Sequence, residues 1–283
     1  MNSAPVIDAH HHLWRIARGD YGWMSADMGE PLYRDYLPSD LAPLLRRAGV
    51  DKTIVVQAAD SEAETEFLLD LAGTTEFVAG VVGWLDMEDP AFETKLDALV
   101  HRPKFVGLRP MLQDLPDDAY ILRPKVLASL AAIAERGVVF EFLTFPRHLR
   151  HVANSLSRIP SLKAVIDHLS KPPIATGSLD GWADDLKRVA EFPNVSCKVS
   201  GMITEARHDA WSPGDLAPYI DHVLSTFGPQ RMMFGSDWPV CLLAGSYAEA
   251  LNALRSQLDP HLTPEQCAAV YGENAIRRYG LTV

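Results

Sequence analysis

Three consecutive histidines, His10, His11 and His12, end a short apolar run near the start of the chain and lead into Leu13 and Trp14. In a strand successive side chains point to opposite faces, so His10 and His12 share a face with Asp8, and His11 points the other way. Two imidazoles on one face are half of a metal site. Alone, the run also fits a solvated or hydrogen-bonded histidine cluster; a tag remnant fits poorly, because no linker residues flank it. Later apolar runs carry further chemistry at or near their ends: Gln57, Trp84, Arg109, Glu141, His168, Lys198 and Asp237.

Those residues need elements to position them. After a long aromatic segment from Leu13 to Pro38, apolar runs and helical stretches alternate. Ser39 is the expected cap of a helix ending at Gly49, Thr53–Gln57 reads as a strand, and Ser61 to Glu64 fits a capping box. Strand-like runs recur at 77–84, 105–109, 138–143, 162–168, 195–201 and 232–239, separated by helical segments, and two helices near 247–258 and 264–279 finish the chain. These runs are continuously apolar, as parallel strands buried on both faces are. Eight of them alternating with helices predict a (β/α)8 TIM barrel, one domain over residues 1–283, with a long loop after the first strand and extra C-terminal helices. A doubly wound sheet is the competing architecture, without the glycine-rich turn that usually follows its first strand.

In a barrel the C-terminal ends of all strands meet on one face, where active sites sit. His10, His12, His168 and Asp237 would then converge, offering three neutral nitrogens and a carboxylate to one divalent metal: zinc, with iron or manganese as alternatives. Arg109 suits a hydroxyl or carboxylate, or a buried glutamate. Glu141 suits a ligand role, an arginine partner or substrate. Lys171 lies beside His168, and Gln57, Trp84, Trp14 and Trp238 have the hydrogen-bonding and flat apolar character of a sugar-ring site, though any one tryptophan also fits core packing.

Composition narrows the partners. A net charge of -11 without a basic cluster disfavours nucleic acid and anionic membranes, which demand neutralised phosphates. No apolar run is long enough for a membrane span and the N-terminus lacks a secretion leader, so a cytoplasmic location is expected. The three cysteines lack paired spacing and are expected to be reduced. The oligomeric state is open, a homodimer being one arrangement.

The ordered motifs His10-x-His12, Asp167-His168-Leu169-Ser170-Lys171-Pro172 and Phe234-Gly235-Ser236-Asp237-Trp238-Pro239 resemble the amidohydrolase superfamily. More narrowly, they resemble its amidohydrolase-2 branch of sugar-acid and pyrone-dicarboxylate lactonases, and Tyr271-Gly272-Glu273-Asn274-Ala275 fits the closing helix of that branch. The resemblance implies hydrolysis of a carboxylic ester, here a small-molecule lactone such as L-fucono-1,5-lactone or another deoxy-sugar aldonolactone. One metal is expected, since only His168 follows the later histidines of binuclear members, and some members of the branch work without a tightly held metal. Asp237 is the expected general base and His168 its catalytic neighbour; Trp14, Gln57, Trp84, Arg109, Glu141, Lys171 and Trp238 are the expected substrate contacts. A decarboxylase of an unsaturated acid and a non-catalytic binding barrel are the alternatives.

Overall fold

The eight apolar runs form eight parallel strands in sequential order: β1 Ile7–His11, β2 Lys52–Val56, β3 Val78–Gly83, β4 Phe105–Leu108, β5 Val139–Phe142, β6 Lys163–Ile166, β7 Val195–Val199 and β8 Met232–Phe234. A computed structural model describes residues 4–283 of this chain. The seam between the first and last strands is drawn together by two backbone hydrogen bonds, from Asp237 N to His10 O at 2.8 Å and from His12 N to Trp238 O at 2.7 Å. The fold is therefore the expected (β/α)8 barrel.

Helices cover the outside: α1 Pro38–Ala48, α2 Glu62–Thr74, α3 Phe92–Val100, α4 Pro124–Glu135, α5 Leu149–Arg158, α6 Trp182–Ala190, the short α7 Met202–Glu205, α8 Pro213–Phe227 and α9 Tyr247–Leu258. Two caps differ from expectation. Helix α1 begins at Pro38, where Asp40 Oδ2 accepts from Leu37 N at 2.9 Å, so Ser39 lies inside the first turn. Ser61 does cap α2, but Glu64 turns its carboxylate to the amides of Ala58 and Ala59 instead of back to residue 61.

The final expected helix is two, α10 Pro264–Ala268 and α11 Asn274–Tyr279, joined by a wider π turn over Ala269–Glu273. At Gly272 a Cβ would stand 1.9 Å from the carbonyl oxygen of Pro5, so only glycine allows this contact between the two ends of the chain. Helix α11 closes one end of the barrel: Ala275, Tyr279 and Leu281 pack with Ile7, Ala9, Ile54, Val56, Val82, Val139, Val165 and Met233. Below that plug the barrel is filled; above it the strand ends carry polar groups.

Between β1 and α1 the chain runs through a long loop with only two short 3-10 turns, as the irregular pattern predicted. Trp14 and Tyr36 pair backbone to backbone across it, at 3.0 and 2.9 Å. Trp14, Tyr21, Trp23, Tyr36 and Trp238 then pack edge to face or tilted, with ring centroids 5.0 to 6.4 Å apart, which gives the loop its own apolar support.

Candidate active site

Strand β1 does not keep simple alternation. Its pairing with β2 shifts register between Asp8 and His11, and this bulge turns His10 into the barrel beside Ala9. Asp8 consequently faces outward, contrary to the expected shared face. Its carboxylate accepts from His10 N (3.1 Å), Ser236 N (2.8 Å) and the Tyr247 hydroxyl (3.0 Å), and so pins the bulge to α9 and to the loop after β8. His11 points away and meets Thr53 Oγ1 at 2.8 Å.

Asp237 Oδ1 lies at the centre of three imidazoles: 3.5 Å from His12 Nε2, 3.8 Å from His168 Nε2 and 3.9 Å from His10 Nε2. Ligand atoms of His10, His168 and Asp237 all fall within 4.8 Å of one another, and His12 joins through Asp237. The rings are held from behind. His12 Nδ1 lies 2.8 Å from Val56 O, and His168 Nδ1 lies 2.8 Å from Ser200 Oγ. Such partners fix the tautomer and leave the opposite nitrogen to face a ligand. Burial first, then nearby positive charge, holds His10 well below the usual histidine range, and burial does the same to His168. Both are neutral near pH 7, as an imidazole must be to ligate a cation. Burial would raise Asp237, but His168, His12 and Lys171 outweigh it and keep the carboxyl below its ordinary range. Three imidazole nitrogens and one carboxylate converging on one point fit a single divalent cation.

The backbone has been bent to make this arrangement. Asp237 has φ 57°, and the four residues His168 to Lys171 have φ between 50° and 59°. Left-handed geometry costs non-glycine residues roughly 1–2 kcal/mol each. It persists because the turn is bonded from several sides: Trp182 Nε1 donates to Leu169 O at 2.7 Å, Ser170 Oγ meets Thr144 Oγ1 at 2.7 Å, and Lys171 N donates to His168 O at 2.7 Å. Two glycines leave the necessary room. A Cβ on Gly201 would stand 2.7 Å from His168 Nδ1, and one on Gly235 would stand 2.7 Å from His10 Cβ.

Beneath the histidines lies a buried charge network that the sequence reading did not assemble. Lys198 Nζ lies 2.6 Å from Glu141 Oε2, 3.2 Å from Asp167 Oδ1 and 3.2 Å from His10 Nδ1. Arg109 Nη1 lies 3.4 Å from Asp167 Oδ2, and its Nη2 donates to Gln57 O. Tyr279, on the plug helix, donates to Glu141 Oε1. Burial and the neighbouring Asp167 charge push Glu141 up; Asp167 stays low because Lys198 and Arg109 together overcome its burial. His10, Glu141 and Asp167 also come within 4.8 Å of one another, but Lys198 already supplies the cation that such a group of acids would attract.

Several expected contacts are therefore placed elsewhere. Glu141 has no solvent access and its oxygens face Lys198 and Tyr279, not a substrate. Arg109 and Gln57 are buried and bonded to each other's strands, Gln57 Nε2 donating to Arg109 O at 2.6 Å. Trp14 is fully buried and spends its indole N–H on Arg34 O; Trp238, 2% exposed, packs on Tyr36. Lys171 is on the rim, 3.7 Å from Glu205, an acid the motifs did not single out. Trp84 is partly exposed and lines a cavity on the same face. His148, outside this site, is buried with its Nε2 3.2 Å from Asp118.

An eight-stranded barrel with His-x-His at the end of β1, a histidine after β6 and an aspartate after β8 defines a hydrolase-type barrel with a metal-capable centre. The chain belongs to the amidohydrolase family, whose model matches residues 7–281. It is 41% identical over 279 residues to an L-fucono-1,5-lactonase of Burkholderia ambifaria, covering 96% of this chain and 94% of that one. It is 37% identical to an L-fucono-1,5-lactonase of Burkholderia multivorans, covering 97% and 96%. The crystal structure of an amidohydrolase from Burkholderia multivorans with bound zinc superposes with a TM-score of 0.93 at 37% identity, over 99% of this chain and all of that one.

Proposed function

We propose that this protein hydrolyses a deoxy-sugar aldonolactone, L-fucono-1,5-lactone or a near isomer, to its aldonic acid in carbohydrate breakdown. The observation that carries the reading is Asp237 Oδ1 set among three histidine nitrogens on the catalytic face of the barrel. The lactonases at 41% and 37% identity over nearly the whole chain support the choice of reaction.

Ester hydrolysis needs an activated water, a stabilised oxyanion and a proton for the leaving oxygen. His10, His12, His168 and Asp237 would hold one divalent cation, zinc by analogy with the Burkholderia structure. When bound, that ion supplies positive charge that polarises a carbonyl and lets water ionise near neutral pH. Asp237, kept ionised, takes the proton from the attacking water and returns it to the departing ring oxygen. Lys171, on the rim, donates an N–H to the oxyanion, while Ser200 and the Val56 carbonyl keep His168 and His12 aimed inward. No membrane-crossing helix occurs among the described residues, and the three cysteines are free. We place the reaction in the cytoplasm because unpaired thiols suit a reducing compartment.

A panel of sugar lactones with a pH indicator, and metal analysis on the same preparation, tests the reading. Acid release from deoxy-aldonolactones is expected. Carbon dioxide release from an unsaturated acid, with no lactone opened, would replace it with the decarboxylase reading, and tight binding without turnover with the non-catalytic one.

A further inference from the structure

Beside the histidine cluster, on the same face of the barrel, lies a cavity of about 370 Å³. None of the four ligand candidates lines it. Its walls come from the segments after β2, β3 and β4 and from the long first loop, and they sort into two chemistries. Trp23, Trp84 and Tyr120 present aromatic surface and Asp60 and Asp114 present carboxylates; Met111 stands with other apolar side chains between them. The volume is that of a small-molecule site.

Charge sets what can enter. Among the described residues, no lysine, arginine or histidine lines the cavity. Three arginines near this face have acidic partners elsewhere: Arg109 with Asp167, Arg18 with Asp20, and Arg123 with Glu88 and Asp117. Among the described residues, Asp60 forms no ion pair, and the only polar contact to the Asp114 carboxylate comes from the neighbouring Gln113. Carboxylates beside aromatic faces suit vicinal hydroxyls, which donate to the oxygens while the C–H face of the ring lies on an indole. A second carboxylate on the ligand would meet only like charge.

The cavity is tied to the reacting centre through the first loop. Trp14 has its ring 6.3 Å from that of His12 and 5.7 Å from that of Trp23, and Trp23 Nε1 donates to Ala58 O at 2.6 Å, directly after β2. Trp14 is thus a packed wall shared by His12 and the cavity's Trp23. We infer that the cavity bounded by Trp84, Tyr120, Asp60, Asp114 and Met111 is the specificity subsite, selecting an uncharged polyhydroxylated lactone with an apolar end and excluding lactones that carry a second carboxylate. This rests on the lactonase reading and assigns the part of the substrate remote from the scissile ester.

Two measurements test it. The first compares kcat and KM for a 6-deoxyaldonolactone, its 6-hydroxy counterpart and its 6-carboxylate counterpart, in the natural protein and in Asp60→Asn, Asp114→Asn and the double variant. The natural protein is expected to prefer them in that order. The Asn variants should raise KM for the neutral lactones about tenfold, the loss of one charge-assisted hydrogen bond, while discrimination against the carboxylated lactone falls by at least as much. Unchanged KM and unchanged ranking would overturn the subsite and leave the lactonase reading intact. The second needs no turnover: L-fucitol, an open-chain 6-deoxy polyol, should quench tryptophan fluorescence in the natural protein and much less in Trp84→Phe. Quenching without hydrolysis of any lactone would sustain the subsite and refute the lactonase; no quenching and no change in the variants' kinetics would refute the subsite.

Discussion

Lys198 Nζ lies 2.6 Å from Glu141 Oε2 in a part of the barrel that water does not reach. Desolvating a lone ion costs several kcal/mol, so the charges of this network are held in place by one another, Asp167 lying 3.2 Å from the same Nζ. Lys198→Met should therefore destabilise the fold by about 3–5 kcal/mol, since Glu141 and Asp167 lose their shared cation. At about 2–4 °C per kcal/mol for a chain of this size, the melting temperature should fall by roughly 10 °C. Adding Glu141→Gln should recover part of the loss. Thermal unfolding followed by circular dichroism decides it: a single variant as stable as the double would mean that the pair is not coupled.

Asp237→Asn keeps the shape of the side chain, and asparagine tolerates the positive φ found here. It removes the negative charge among the three histidines. Turnover is expected to drop by at least about a thousandfold with the fold intact, because base and ligand are lost together. Steady-state kinetics beside a far-ultraviolet spectrum measures this; hydrolysis within tenfold of the natural rate would remove Asp237 from the mechanism.

Ser200 is not among the four candidate ligands, yet its hydroxyl lies 2.8 Å from His168 Nδ1 and orients the ring. Ser200→Ala should weaken zinc about 10–100-fold, the usual effect of losing an outer partner of a histidine ligand. Competition with a chromophoric chelator reads the affinity directly. An unchanged constant would show that the left-handed turn alone aims the ring.

Glu64 is buried behind the first loop, and burial lifts its carboxyl to about 8 even though Ala58 N and Ala59 N donate to it. In the unfolded chain it ionises near 4.5. Between those values the folded protein holds a proton that the unfolded chain has released, so stability falls as pH rises through the window. The slope from this one group approaches 1.4 kcal/mol per pH unit. Urea midpoints at pH 5 and pH 8.5 should therefore converge in Glu64→Gln relative to the natural protein, the gain appearing at the higher pH. A variant with the same pH slope as the parent would place the titration elsewhere.

The strands were legible because eight continuous apolar runs have little else to become, and the chemistry was legible where a polar residue ended such a run, as at His12, His168 and Asp237. What the residues do to one another was less visible. Asp8 faces outward because a bulge, which depends on pairing with β2, breaks the alternation on which the first reading relied. Arg109, Glu141, Asp167 and Lys198 come from four strands or strand ends, and only their register shows that the charges cancel among themselves. Trp14 and Trp84 are the same residue type, each just after a strand, β1 and β3; one supports the loop and the other lines the cavity, a difference set by packing alone. Ser200 carried no signal, since a serine after an apolar run has many uses.

The two hydrogen bonds that join β1 to the segment after β8 are made by the backbones of His10, His12, Asp237 and Trp238. Three of these residues are also the candidate ligands, so closing the barrel and assembling the site are one event. The histidines of β1 have no carboxylate between them until the segment after β8 is in place. A cation bound across the seam would hold together the one pair of strands that sequence neighbours cannot.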